Sequence, residues 1–183
     1  FEAEEVSFEA ELQSMAQFSK VAEDEGRISQ YALARPSQRL RRDLDSYLAD
    51  RTATFNAVRA GGAVVSGTAE NDTQATLRFF GFLRLTDRAL EDGVCGLSDV
   101  FTRSDLGDLV EAYCQRLAQQ QGLRFSSIAN YVNSLLSIAT HCYAVFEVPE
   151  EVLALDPSPL AQLINLRAQA EKASKTQNLF ERR

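Results

Sequence analysis

The chain has 183 residues, enough for one ordinary domain or for one domain with a helical extension. With 45% hydrophobic and 25% charged residues the composition is globular and not that of a disordered chain. Nine Gly and four Pro are too few for a turn-rich all-β protein, and the longest strongly apolar stretch, near Phe79–Leu85, is broken by Arg84 well short of a bilayer span.

The net charge of −7 argues against nucleic acid only until it is divided along the chain. Residues 1–25 carry eight acidic side chains against Lys20 alone, so the remainder of the chain is balanced. Within that neutral body two stretches are basic. Residues 27–59 hold seven Arg against three Asp, and residues 160–183 hold five Lys or Arg against two Glu. Opening on Phe1, the chain reads as a fragment or a processed product, and no basic-then-apolar leader is visible.

In chain order, Val6, Phe8, Leu12, Met15, Phe18 and Val21 recur every three or four residues, predicting an amphipathic helix over 3–22 that Gly26 ends. A second helix is expected from near Pro36 to about Ala60, burying Leu40, Leu44, Tyr47, Leu48, Phe55 and Val58 and stopped by Gly61–Gly62. Residues 1–60 are thus read as an N-terminal helical arm, acidic and then basic. Residues 61–71 are small, polar and Gly-containing, and are read as a linker. Gly62 and Gly67 have the spacing of a phosphate loop, but Thr68-Ala69 stands where Lys-Ser/Thr is needed, so no nucleotide site is expected.

From Asp72 or Thr73 as a cap, a helix is predicted to about Leu90 with Leu77, Phe80 and Leu83 inward and Phe79 as a further candidate. Gly93 and Gly96 break it. Ser104–Asp105 opens another helix, with Leu106, Leu109, Val110, Tyr113 and Leu117 inward and Gly122 as its C-terminal cap. Ser126 is expected to cap a long helix to about Phe146, with Ile128, Val132, Leu135, Leu136, Ala139 and Tyr143 at helical spacing. Pro149, Pro157 and Pro159 punctuate a short connection. Ser158–Pro159 then reads as a cap and first-turn pair launching a C-terminal helix over 158–183, with high helix propensity and few anchors beyond Leu166. No segment reads as a strand. The fold class is all-α, with a bundle over 72–157 as its centre.

Groups able to converge for catalysis are few. The single histidine, His141, sits mid-helix with Cys142 pointing about 100° away around the axis, so the pair is read as structural. Asp43/Asp45 read as solvated surface and Glu150/Glu151 as acids at a helix start. Three cysteines, Cys95, Cys114 and Cys142, have the spacing of neither a zinc site nor a disulfide framework, and are read as reduced thiols of an intracellular protein. Neither metal nor cofactor is expected, and the chain is not expected to be an enzyme.

From Thr73 to Pro159 the chain resembles the N-terminal, SAM-like core-binding domain of tyrosine recombinases and phage-type integrases. Four pieces in order carry the resemblance. They are the aromatic, Arg-bearing helix Thr76–Arg84, the helix Asp105–Leu117, the run Gly122, Leu123, Ser126, Ser127, Ile128, Asn130, Tyr131 continuing into Leu135, Leu136 and Ile138, and the Asp156–Pro157 exit. The resemblance implies a four-helix bundle that forms one jaw of a clamp around double-stranded DNA, with the catalytic Arg, Lys, His and Tyr in a separate downstream domain. The expected location is intracellular, and nuclear if DNA is the partner.

The residues expected to meet DNA are Arg78 and Arg84, then Arg124, Ser126, Ser127, Asn130 and Asn133 around a helix N-terminus, and Lys172 and Lys175 on the tail. Arg88, Arg182 and Arg183 add to these basic groups. The plainer reading makes the serines caps, the asparagines solvated and the arginines partners of nearby acids; Arg39, Arg41 and Arg42, beside Asp43 and Asp45, suit it best. A reading from another class stays open, a helical scaffold subunit making protein contacts or a homo-oligomer through its terminal helices, with Leu179 and Phe180 exposed. The acidic arm packs on the bundle in one reading and docks on a basic surface in the other.

Overall fold

The computed structural model describes residues 35–54, 62–86, 95–120 and 122–181. The expected helix at 3–22, the acidic arm, Phe55, Val58, Arg88, Arg182, Arg183 and the side chain of Phe180 lie outside the described residues. Among those described, the chain is all-α and holds no strand. Its helices are α1 (Gln38–Thr52), α2 (Ser66–Thr86), α3 (Leu97–Phe101), α4 (Leu106–Gln120), α5 (Phe125–Val145), α6 (Glu150–Leu153) and α7 (Pro159–Glu181). No helix among them is long and apolar enough to cross a membrane.

Helix α5 is the centre of the bundle. Its Ile128, Val132, Leu135, Ile138 and Cys142 fall at helical spacing on one face and are buried. That face packs against α2, α3 and α4, while α7 runs along one flank. An aromatic group fills the middle of the core: Phe79 of α2 lies 5.4 Å from Tyr113 of α4 and 6.2 Å from Phe101 of α3, between ring centres. Offset and tilted rings at these separations add to the burial of each.

Several boundaries differ from the sequence reading. Helix α2 begins at Ser66 and not at Asp72 or Thr73, so the described part of the linker shortens to Gly62–Val65. Two anchors outweigh the weak helix propensity of that segment. Ala69 is fully buried, and Asp72, at 3% exposure, accepts a 2.5 Å hydrogen bond from the Tyr47 hydroxyl. Helix α1 stops at Thr52, where Ala53 caps it and the Arg51 carbonyl accepts from Val64 N–H at 3.0 Å. It begins with Ser37, whose Oγ accepts from Leu40 N–H at 3.0 Å, leaving Pro36 just outside.

Leu40, Leu44 and Tyr47 of α1 and Leu163 and Ala170 of α7 belong to the same core as α2–α5. Helix α7 is therefore a packed member of the bundle through Ala170. Its start matches expectation, with Ser158 Oγ accepting from Ala161 N–H at 3.3 Å. Gly122 ends α4 in the left-handed region at φ 58°, and the chain turns so that Leu123 N–H reaches the Leu117 carbonyl at 3.2 Å.

Two short helices, α3 and α6, escape the pattern reading because each is little more than one turn. Helix α3 is held onto α1 by polar contacts. Asp43, half-buried and not merely solvated, accepts from Leu97 N–H at 2.8 Å, and Ser37 Oγ donates to the Cys95 carbonyl at 2.8 Å. Arg39 pairs with Asp99 at 2.9 Å and donates to Ser98 Oγ. Gly96 leaves room for these contacts, since a Cβ there would push on the Asp43 and Arg39 side chains that make them.

The Tyr47–Asp72 bond joins α1 to α2 inside the core. Tyr47→Phe leaves a buried carboxylate without that donor, which costs about 1–3 kcal/mol. The expected outcome is a lower urea midpoint at unchanged m-value, measured by circular dichroism.

Candidate nucleic-acid interface

Helix α5 contains no Asp, Glu, Lys or Arg. With its apolar face in the core, the opposite face carries Ser126, Asn130, Asn133, Ser137 and Thr140, spaced three and four apart and therefore stacked along one side. The first three and Thr140 are exposed, and Ser137 is half-buried. Two arginines border this stripe from neighbouring helices.

On the α2 side lies an open groove of about 520 Å³ lined by Thr68, Asn71, Arg78, Ser127, Asn130 and Asn133, together with Asp72, Tyr131 and Ser134. Arg78 is half-buried there; its Nη1 donates to the Tyr131 hydroxyl, and its guanidinium lies 5.4 Å from the centre of the Tyr131 ring. The cation is held by a neutral phenol and an aromatic face. On the α7 side, Arg167 Nη1 donates to Asn133 Oδ1 at 3.0 Å, and its Nε lies 3.6 Å from Glu171.

Four of the nine residues named from the sequence, Arg78, Ser127, Asn130 and Asn133, thus meet in one groove. Ser126 and Arg124 are exposed at the start of α5, but their roles differ from expectation. Arg124, with extended backbone, occupies the cap position without a side-chain capping bond, and Ser126 sits inside the first turn. Lys172 and Lys175 are exposed on α7. The Phe125 N–H contact to Gln177 Oε1 at 3.4 Å and the Asn133–Arg167 bond show that α7 runs antiparallel to α5. That register sets the Lys172–Lys175 stretch alongside the first turns of α5. Arg84 is exposed in the last turn of α2, outside the groove.

Arg167 and Asp72 escaped the sequence reading as lining or bordering groups. Arg167 counts there only as part of a basic tail, and nothing local says that it pairs with Asn133, 34 residues earlier. Asp72 reads as a cap, whereas its carboxylate is buried at the groove floor and bound to Tyr47. Desolvation, then that hydrogen bond and the charge of Asp72, hold the Tyr47 phenol protonated far above its ordinary range.

The groups able to do covalent chemistry are placed elsewhere. Burial pushes the Cys114 thiol up to about 12 and raises that of Cys142 as well, so neither is a ready nucleophile. His141 packs edge-on against the Tyr47 ring at 5.2 Å, with Nδ1 3.7 Å from Asp50. Among the described residues, no three His, Cys, Asp or Glu side chains gather at metal-binding distances. Comparison of the chain with protein-family models, with curated proteins and with solved structures found no match.

Burial lowers the His141 pKa below its ordinary 6.5, only partly offset by the nearby Asp50 charge. A base whose pKa falls on folding binds more protons unfolded, so stability rises with pH through the window just below 6.5. Urea unfolding at stepped pH is expected to show this rise in the wild type, and His141→Asn is expected to flatten it.

Proposed function

We propose that this chain is a DNA-binding module, without catalytic machinery of its own, that meets double-stranded DNA through the outer face of α5. One observation carries the reading: an uncharged stripe of hydroxyls and amides, Ser126, Asn130 and Asn133, bordered by Arg78 and Arg167 from the two adjacent helices. Asparagine and serine side chains on an exposed helix can read base edges, and flanking cations supply the phosphate contacts that set register. Arg124, Lys172 and Lys175 extend the positive charge along the first turns of the same helix. The all-α bundle is also compatible with the resemblance to tyrosine-recombinase core-binding domains, in which strand cleavage belongs to another domain. Under this reading the protein is intracellular and works where DNA is, in the nucleus.

A scaffold reading has its own support at the two ends of the bundle. Val145, Leu153 and Leu155 are 43%, 58% and 38% exposed around the end of α5 and α6, and Leu179 is 66% exposed on α7. Contacts with other polypeptides through those ends are compatible with DNA on the α5 stripe. Light scattering of the purified chain separates self-association from a monomeric module.

The DNA reading is tested by duplex affinity across a salt series. The wild type is expected to bind at low salt with affinity falling steeply and linearly on a log–log plot. Replacing Lys172 and Lys175 by Ala is expected to reduce the slope by about 2, near one unit for each phosphate neutralised by a lysine. No binding at low salt, or binding indifferent to salt, contradicts the reading.

A further inference from the structure

We infer that the groove between α2 and α5 is built to donate hydrogen bonds and seats a phosphodiester group, with Tyr131 and Arg167 as positioning residues. The inference deepens the DNA reading by naming what this surface holds, and it rests on a property of arginine. A guanidinium donates and never accepts. The atom of Asn133 that meets Arg167 Nη1 at 3.0 Å is therefore its oxygen, and the amide Nδ2 with its two hydrogens must face away from Arg167. In the same way, the Tyr131 oxygen accepts from Arg78, so the phenol's own hydrogen is free to point elsewhere, and Tyr131 lines the groove.

Both contacts consume acceptors and turn hydrogens outward. Ser137 and Thr140, farther along the stripe and outside the groove lining, do the reverse, each spending its one hydroxyl hydrogen on a backbone carbonyl: Ser137 Oγ on that of Asn133 at 3.2 Å and Thr140 Oγ1 on that of Leu136 at 2.8 Å. Among the described residues that line the groove the one carboxylate, Asp72, is 3% exposed and engaged by Tyr47, which places it in the floor. What the groove offers a visitor is then a set of donors: the remaining N–H groups of Arg78, the Tyr131 O–H, the Asn133 NH₂, and the Asn130 amide and Ser127 hydroxyl beside them. A phosphodiester, anionic and rich in acceptors, is the complement of such a set. Asn71, Gln74 and the Thr68 and Ser134 hydroxyls, which also line the groove, can donate or accept as a visitor requires.

Asn133→Asp isolates this property. The substitution is nearly isosteric, replaces two donors by acceptors, and sets a carboxylate beside Arg167, so the thermal midpoint is expected to stay level or rise. Duplex affinity is nonetheless expected to fall by about tenfold or more, as a donor to a charged acceptor disappears and a repulsive charge takes its place. Tyr131→Phe, which removes one donor and loosens Arg78, is expected to weaken binding by a smaller factor. A second arm titrates the wild-type protein with inorganic phosphate while following the Asn side-chain NH₂ and Arg Nε resonances; those of Asn133 and Arg78 are expected to shift, and Asn133→Asp is expected to abolish the response.

Duplex binding that is equal in wild type and both variants overturns the groove and leaves the DNA reading standing. Phosphate shifts at Asn133 and Arg78 without duplex binding leave the groove standing and remove the DNA reading. If neither phosphate nor duplex binds, both fail.

Discussion

The whole arrangement depends on one helix with no charge to spare. Helix α5 has 21 residues, and a stripe of Ile128, Val132, Leu135, Ile138 and Cys142 locks it into the core from end to end. Burial on that scale sets its rotation about its own axis, because turning it by one residue would move apolar side chains into water and amides into the interior. Once the rotation is set, so is the outward face. Ser126, Asn130 and Asn133 are presented as a consequence of where Val132 and Leu135 must go.

The flanking helices are fixed by contacts of a different kind. Helix α2 is tied to α1 through the buried Tyr47–Asp72 bond, and α1 is tied to α3 through Ser37, Arg39 and Asp43. Polar bonds of this sort contribute modest stability but specify partners, since each buried member left unpaired is costly. Arg78 follows Asp72 on α2 by less than two turns, so the interior bond that positions the helix also positions that cation over Tyr131. Arg167 is brought up on the opposite side by the packing of α7 through Leu163 and Ala170.

Much of this is legible in the sequence, and unevenly. Periodicity identifies α4 and α5 nearly to the residue, because their inward positions are large, apolar and regularly spaced. The Ser158–Pro159 start of α7 and the Gly122 turn are readable from local stereochemistry alone. The beginning of α2 is not, because its first turns are small and polar, and what anchors them, Tyr47, lies 25 residues away. Asp72 shows the same limit, since an acid near an expected helix start resembles a cap until its partner is known. Of the candidate site, the residues on α5 and Arg78 stand out by residue type and helix position. Their convergence does not, and neither does the role of Arg167, because both depend on how helices distant in sequence are laid side by side.

The central claim is that the outer face of α5 is the surface that faces DNA. Photo-crosslinking tests it most directly, with a crosslinking side chain placed in turn at position 130 on that face and at the exposed Ala112 on α4, each chain mixed with the same labelled duplex. The account predicts efficient attachment from position 130 and little from position 112, diminished alike by added salt. Attachment that is equal from both positions, or stronger from position 112, would contradict it.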